Sequence, residues 1–332
     1  MDAGTLPFLM RPAAKDYLWG GRRLNDDFGK SIGLTPLAET WECSTHPDGP
    51  SVCSGGEYDG MTLTEVLRAH PEYLGTHPLR LTGGRPELPI LVKLIDAEKD
   101  LSVQVHPDDG YAKTREHGMG KTEMWYILKA KKGAKIVYGF NRDMTREGLR
   151  AAAGSGEILR CLRTVPVEKD DIFYIEAGRV HAIGAGILLA EIQENSNLTY
   201  RLYDYDRTDR AGRKRELHVE KALDVAILSS GAEPKQPMRV LRYRRACASE
   251  LLTRCKYFQV ERLLLNTETA RAPVPYRAGS NSFRVLLCID GCGSVRGENY
   301  FENIYKGDCF FIPADSVPLY LHGKACFLDV TC

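Results

Sequence analysis

In the stretch LSVQVHPDDG, Gln104 and His106 stand two residues apart behind an alternating run. Residues i and i+2 of an extended strand face the same side. The amide and the imidazole therefore share a face, with Leu101, Val103 and Val105 on the other. Two metal-capable side chains on one face are the smallest unit of a ligand set. Glu123, heading the run EMWYILKA, and His181, in VHAIG, add a carboxylate and a second imidazole. Gln104, His106, Glu123 and His181 together form a nitrogen and oxygen set suited to Zn²⁺ or another divalent transition metal, with room left for water or substrate. His106 and His181 lie far apart in the chain, which suits a barrel whose strands all face one interior.

Charged residues that an ordinary core would not hold lie close by in the sequence. Lys93 interrupts ILVKLI and faces the other side from Val92 and Leu94 in a strand. Lys121 stands two before Glu123 and shares its face. Glu191 and Arg201 flank the segment IQENSNLTY. Each also has a plainer reading: Lys93 as a surface lysine, Lys121 as a loop lysine, Glu191 as a strand-end carboxylate and Arg201 as a surface ion-pair partner. Tyr203 and Tyr205 fit a core equally well, and Trp41 and Trp125 read as packing residues.

The elements that must position these groups are mostly strands. ELPILVKLIDA, LSVQVH, MWYILKA, AKIVYGF, DIFYIEA and ILLAEIQE are short strand-like runs separated by turn residues, the rhythm of a barrel or sandwich. Up to about residue 100 the chain reads as Gly/Pro turns with one helix, TLTEVLRAHPEYLG, which Thr62 caps and Gly75 ends. MTREGLRAAAGSGEILRCLRT reads as helix, break, helix, and HVEKALDVAIL as a further helix. Beyond about residue 238 the strands return in YFQVERLLLN, SFRVLLCIDG, CFFIPA, PLYLHG and CFLDVTC. VEKDDIFYIEAGRVHAIGAGILLAEI can be laid on IYKGDCFFIPADSVPLYLHGKACFLDV, which implies two copies of one β unit. The second copy has Pro318 in place of His181, and Phe283 in place of Glu123. One copy is thus expected to be active and the other a scaffold: a metal-binding catalytic domain over 1–237 with helical insertions, and a degenerate β domain over 238–332.

The chain has 332 residues, 43% of them hydrophobic, and a net charge of +1, which argues against nucleic acid as a partner. The start, MDAGTLPFLMRPAAKD, lacks the form of a signal peptide, and no apolar run is long enough for a membrane helix. None of the ten cysteines forms a CxxC pair, and several sit in apolar runs. Buried free thiols in a reducing cytoplasm are the expectation. Nothing in the sequence fixes the oligomeric state.

Taken together, KDYLWGG, AETWECSTHPDGPS, KLIDAEKDLSVQVHPDD, GKTEMWYIL and GRVHAIGAGILLAEIQENSNLTYRLYDYDR resemble the mannose-6-phosphate isomerases of the short bacterial form. The resemblance is strong over roughly residues 6 to 230 and weak in the C-terminal third. It implies a mainly β fold of tandem cupin barrels (jelly-roll type) with a helical portion, and one zinc ion in the first barrel. On this resemblance Gln104 and His106 match the family's Q-x-H ligands, Glu123 the glutamate of its K-x-E-M block, and His181 the histidine of its H-A-I segment. Lys93, Lys121 and Arg201 fall where the family surrounds its sugar phosphate substrate, and Glu191 is the candidate for proton transfer. The family commonly reads P-A-G-T ahead of that histidine, where this chain has Glu176-Ala177-Gly178-Arg179. This departure touches substrate contact and leaves the ligands alone.

The implied reaction moves a proton between C1 and C2 of a sugar phosphate through an enediol. It needs a Lewis acid for the developing oxyanion, a base for the carbon-bound proton and a cationic clamp for the phosphate. Glu191 is the leading base, with Lys121 as rival, and Arg201 holds either phosphate or enediolate. A carboxylate beside cations is a weak base unless desolvation raises its pKa, so Glu191 is expected to be shielded from water. Two alternatives remain: another cupin enzyme, such as an iron or copper oxygenase, and an inactive sugar-phosphate sensor or scaffold. The lysines and Arg201 argue against the first, and the intact set of charged groups against the second.

Overall fold

The computed structural model describes residues 5–209, 211–231, 233–234 and 239–332. The expected domain boundary at 237/238 lies outside the described residues. The chain is mainly β, and among the described residues its named strands pair antiparallel in three sheets. The six-stranded sheet runs Ile172–Ile175, Glu123–Ala130, Ile187–Glu194, Ile90–Ala97, Glu39–Cys43, Ala13–Lys15. The five-stranded sheet runs Tyr200–Tyr203, Val103–Val105, His181–Ile183, Lys135–Phe140, Leu162–Pro166. The ten-stranded sheet collects the C-terminal strands and adds Phe8–Arg11 and Val52–Ser54 from the N-terminal end.

The central strands of the six-stranded sheet are buried on both faces, and the period of two sorts their side chains between two cores. Leu188, Ala190 and Ile192 join Ile90, Val92, Leu94, Met124 and Tyr126 in a core packed against Val260, Val285, Phe311 and Val330 of the ten-stranded sheet. The alternate residues, among them Ile187, Leu189, Ile95, Trp125 and Ile127, face the five-stranded sheet and meet Ile136, Tyr138 and Ile183. Lys93, Glu123 and Glu191 have the parity of this second set, so the sheet aims all three into the space between the six- and five-stranded sheets. The far face of the five-stranded sheet is covered by helices Arg146–Ala152 and Val219–Val225. A separate apolar cluster lies within the ten-stranded sheet, where Leu286, Val295, Phe310 and Phe327 meet.

The capped helix appears as Leu63–Ala69 followed by a 3₁₀ turn at Pro71–Leu74. Thr62 Oγ1 accepts from the Glu65 amide, and Glu65 Oε2 accepts from the Thr62 amide at 2.8 Å, closing the capping box. The opening hundred residues hold more order than their Gly/Pro content suggests. Four short strands lie there, along with helices Arg23–Phe28 and Thr76–Leu81. Those strands are too short to show a period, and they are fixed by pairing with distant partners. PLYLHG and CFLDVTC are one strand, Leu319–Thr331, because Gly323 (φ 125°) lets the backbone continue past Gly293 on the neighbouring strand. Leu101 precedes the strand it was expected to join and packs into the inner cluster, on the side away from Val103 and Val105.

Candidate metal centre and active site

Gln104, His181 and Arg201 stand side by side across the five-stranded sheet, with His181 opposite Gln104 and Arg201 opposite Gln104 on its other flank. His106 follows the strand Val103–Val105, and its carbonyl accepts from the Gly178 amide at 2.8 Å, tying the two histidine segments together. Glu123 enters from the facing sheet. Ligand atoms of His106, Glu123 and His181 all lie within 4.8 Å of one another, and all three residues are buried.

The hydrogen bonds fix the state of both rings. His106 Nδ1 donates to the Leu198 carbonyl at 2.7 Å, and His181 Nδ1 donates to the Arg179 carbonyl at 2.8 Å. Each ring therefore holds its proton on Nδ1 and turns an Nε2 lone pair inward, the tautomer a metal requires; at His106 that lone pair accepts from Lys121 Nζ. Burial, with the ammonium of Lys121 behind it, keeps both imidazoles neutral: His106 is held well below its ordinary pKa and His181 down at about 4. The two Nε2 atoms lie 3.6 Å and 3.4 Å from the oxygens of Glu123. Glu123 Oε1 is buried with no hydrogen-bond donor. A buried carboxylate oxygen left bare beside the His181 lone pair is costly unless a cation fills the space. Gln104 Nε2 lies 3.4 Å from His181 Nε2, and a half-turn of the amide presents its oxygen instead. His106, Glu123 and His181 thus fit a metal ion, with the Gln104 amide beside them.

The charged groups gather beside this point. Lys121 Nζ contacts Glu123 Oε2 and lies 3.1 Å from His106 Nε2. Glu191 Oε1 stands 3.3 Å from Lys93 Nζ and 3.9 Å from Lys121 Nζ, while its Oε2 accepts from Trp125 Nε1 at 2.9 Å. Burial pushes Glu123 up, to about 7, with the Glu191 charge adding to it. Glu191 is shielded from water, as expected, yet its pKa moves the other way. Burial alone would raise it, but Lys121 and Lys93 outweigh burial and hold it down at about 2. The lysine cannot be a surface residue either, since Lys93 is only 4% exposed.

Several residues beyond the expected set shape the site. Trp125 hydrogen-bonds Glu191 and sets its edge against the His181 ring at 5.4 Å, so it is more than packing. Trp41 lies beneath Lys93 Nζ, 4.9 Å from its ring centre, and donates to Glu39, whose other neighbour is Lys93 at 3.8 Å. The alternation in ETWEC held the clue, with Glu39 and Trp41 at i and i+2. Tyr203 is a core residue of the outer cluster. Arg201 reaches the Glu216 carbonyl at 2.9 Å, and burial followed by the Arg215 charge lowers its pKa. A cleft of about 380 Å³ is lined by Tyr17, Trp19, Asp204, Arg207 and Arg215, among others, with both arginines paired to Asp204. Burial, with the charges of Glu39 and Asp48 adding to it, pushes the Tyr17 hydroxyl in this cleft up to about 12.

The departure at 176–179 resolves into a pair. Arg179 is buried, lies over the Tyr138 ring at 5.4 Å and bonds Glu176 through Nη2. Each departing residue answers the other, and the charge near His181 is neutralised locally.

Comparison with known proteins agrees with this geometry. Residues 8–134 match the model for phosphomannose isomerase type I, catalytic domain. The chain is 38% identical to mannose-6-phosphate isomerase ManA of Bacillus subtilis over 97% of both proteins. It is 40% identical to the mannose-6-phosphate isomerase of Streptococcus mutans over 68% of this chain and 69% of that one. The crystal structure of the Bacillus subtilis mannose 6-phosphate isomerase superposes with a TM-score of 0.87 at 34% identity, covering 99% of this chain and 100% of that one. A phosphomannose isomerase mutant from Salmonella typhimurium shares the fold at a TM-score of 0.73 and 17% identity, covering 98% and 99%. The buried His-Glu-His cluster and these full-length likenesses together place the chain in the mannose-6-phosphate isomerase family, as an isomerase enzyme.

Proposed function

We propose that this isomerase interconverts mannose 6-phosphate and fructose 6-phosphate, with one zinc ion per chain held by Gln104, His106, Glu123 and His181. The observation that carries the reading is the buried cluster of two inward Nε2 atoms and Glu123, one oxygen of which has no hydrogen-bond donor, with Lys93, Lys121 and Glu191 beside them. Bound there, zinc supplies a Lewis acid for the oxygens on C1 and C2.

The chain's own groups do the rest. Glu191 is the proton acceptor, and Lys121, 3.9 Å away, is its acid–base partner. Trp125 fixes one oxygen of Glu191 and leaves the other turned toward the lysines. Held near 2, this carboxylate is ionised throughout the neutral range. A substrate oxygen that draws Lys93 or Lys121 toward itself weakens their hold on Glu191 and raises its proton affinity at the moment of transfer. Lys93 lies within reach of the same oxygens. Arg201, backed by Arg207 and Arg215 in the cleft, offers the planar guanidinium that holds a phosphate by two bonds. A sensor without turnover has no use for a carboxylate and two lysines packed around a metal centre, and nothing in the site favours it.

The same reading takes the six- and five-stranded sheets as a cupin barrel within a catalytic unit over 1–237. The C-terminal unit over 238–332 is then a degenerate second barrel that borrows two N-terminal strands. Ten unpaired thiols suit the reducing cytoplasm. Metal analysis with a coupled assay for fructose 6-phosphate, before and after chelation, tests the function. The expected result is one zinc per chain, with activity lost on chelation and restored by zinc. Zinc-loaded protein that leaves mannose 6-phosphate unchanged refutes it.

A further inference from the structure

The segment that carries Lys121 is fastened along its whole length. The Lys121 amide donates to the Pro107 carbonyl at 3.0 Å, and Ser196 Oγ donates to the Met119 carbonyl at 3.0 Å. The Thr122 amide donates to Glu194 Oε1 at 2.7 Å, and the Glu194 amide donates back to the Thr122 carbonyl at 3.0 Å. The Gly120 amide donates to Asp109 Oδ1 at 3.2 Å. Gly120 is pressed so closely against this backbone that a Cβ there would stand 2.6 Å from the Asp109 nitrogen.

Asp109 is itself held from elsewhere. Its second oxygen, Oδ2, accepts from Tyr257 Oη at 2.8 Å and from Lys256 Nζ at 3.0 Å. Those two residues form the turn between Cys247–Arg254 and Gln259–Asn266, at one edge region of the ten-stranded sheet. Phe258, next in sequence, anchors the turn in the core between the sheets.

We propose that Tyr257 and Lys256 are positioning residues for Lys121, acting through Asp109 and the Gly120 amide. This rests on the reading of Lys121 as an acid–base group of the isomerase. It gives the C-terminal unit a part in turnover that does not require a ligand of its own. Tyr257 carries most of the effect, because the Lys256 side chain is 67% exposed and its ion pair is screened by water.

The test compares the full-length wild type with Tyr257→Phe, Lys256→Met and the double variant. Arg277→Ala, which removes an exposed pair with Asp315 elsewhere in the C-terminal unit, serves as control. The double variant is expected to keep its metal content and its KM within about twofold, while kcat falls about tenfold, because a small displacement of a catalytic group costs rate before it costs binding. Amide exchange over 119–122, read by mass spectrometry, is expected to quicken in the double variant and not in the control. Should the double variant fail to fold, Tyr257→Phe alone and Asp109→Asn carry the same two readouts. A kcat within twofold of wild type together with unchanged exchange overturns the proposal. A wild type without isomerase activity overturns the functional reading instead, and the exchange comparison then decides the fastening alone: faster exchange sustains it and unchanged exchange overturns it.

Discussion

Replacing Lys93 with methionine keeps the aliphatic stem and removes one buried charge. In the native site that charge faces Glu191 at 3.3 Å and Glu39 at 3.8 Å and rests over Trp41. Breaking a buried pair by removing one partner costs about 3–5 kcal/mol, because the other charge stays buried without compensation. The Glu191 carboxyl is held down at about 2 against an ordinary 4.5, with Lys121 the larger and Lys93 the smaller of the two cations that outweigh burial, so the loss sits at the low end of that range. About 3 kcal/mol is the expected loss, which for a chain of this size lowers the melting temperature by about 4 °C. The pH dependence carries the sign. Glu191 has a folded pKa below its unfolded one, so its stabilisation is present above about 4.5 and lost as pH falls through about 2. Without Lys93 the folded value rises, so the gap between wild type and variant is full at pH 7 and narrows on acidification. Melts at pH 7 and pH 4 measure it. A loss under about 1 kcal/mol at pH 7, or a gap that widens in acid, would refute the assignment of Lys93 as the partner of Glu191.

Glu191→Gln keeps an oxygen for the Trp125 indole to bond and removes the proton acceptor; turnover is expected to fall by about 10²–10⁴ with metal content unchanged. Near-normal turnover in that variant removes Glu191 from the role. At the 176–179 turn, Glu176→Pro alone leaves the Arg179 guanidinium buried without its partner. A double-mutant cycle with Arg179→Thr is expected to show a coupling of about 0.5–1 kcal/mol in thermal or denaturant unfolding, kept modest because Glu176 is half exposed. Strict additivity would separate the two substitutions.

The members of the buried cluster were legible because polar residues break apolar runs. Gln104 lies between two valines with His106 two residues on, Glu123 heads MWYIL, and Glu191 inside LLAEI carries the same mark beside them. Lys93 carries the same mark, though parity alone cannot tell a lysine facing water from one facing a charged interior. That depends on whether a second sheet covers the face, which is a long-range fact. The same limit hid the roles of the tryptophans, since a buried indole reads as packing until the partner of its N–H is known. The four short N-terminal strands escaped notice because three- to five-residue pieces have no measurable period and take their conformation from partners far along the chain, as Phe8–Arg11 does from Cys309–Ile312. The direction of the Glu191 shift was also beyond reach. Sequence spacing shows that cations are near, and only distances decide whether they outweigh burial.

The two copies of the β unit end on the same chemistry and use it differently. With one residue more in the second copy after Pro318, LAEI lies on FLDV and Asp329 takes the place of Glu191, likewise buried. Both its oxygens have donors: Tyr276 Oη donates to Oδ1 at 3.0 Å, Arg284 Nε to Oδ1 at 3.0 Å and Arg284 Nη2 to Oδ2 at 2.6 Å. A buried carboxylate answered by a guanidinium and a hydroxyl from its own sheet has its charge balanced without a bound cation. In the first copy the comparable space holds two neutral imidazoles and a glutamate with a bare oxygen, flanked by lysines that Glu191 only partly satisfies. Such a cluster is unfavourable for folding taken alone. It persists in one copy, while the other holds a self-satisfied pair, and that contrast supports the proposal that the first unit binds metal and substrate.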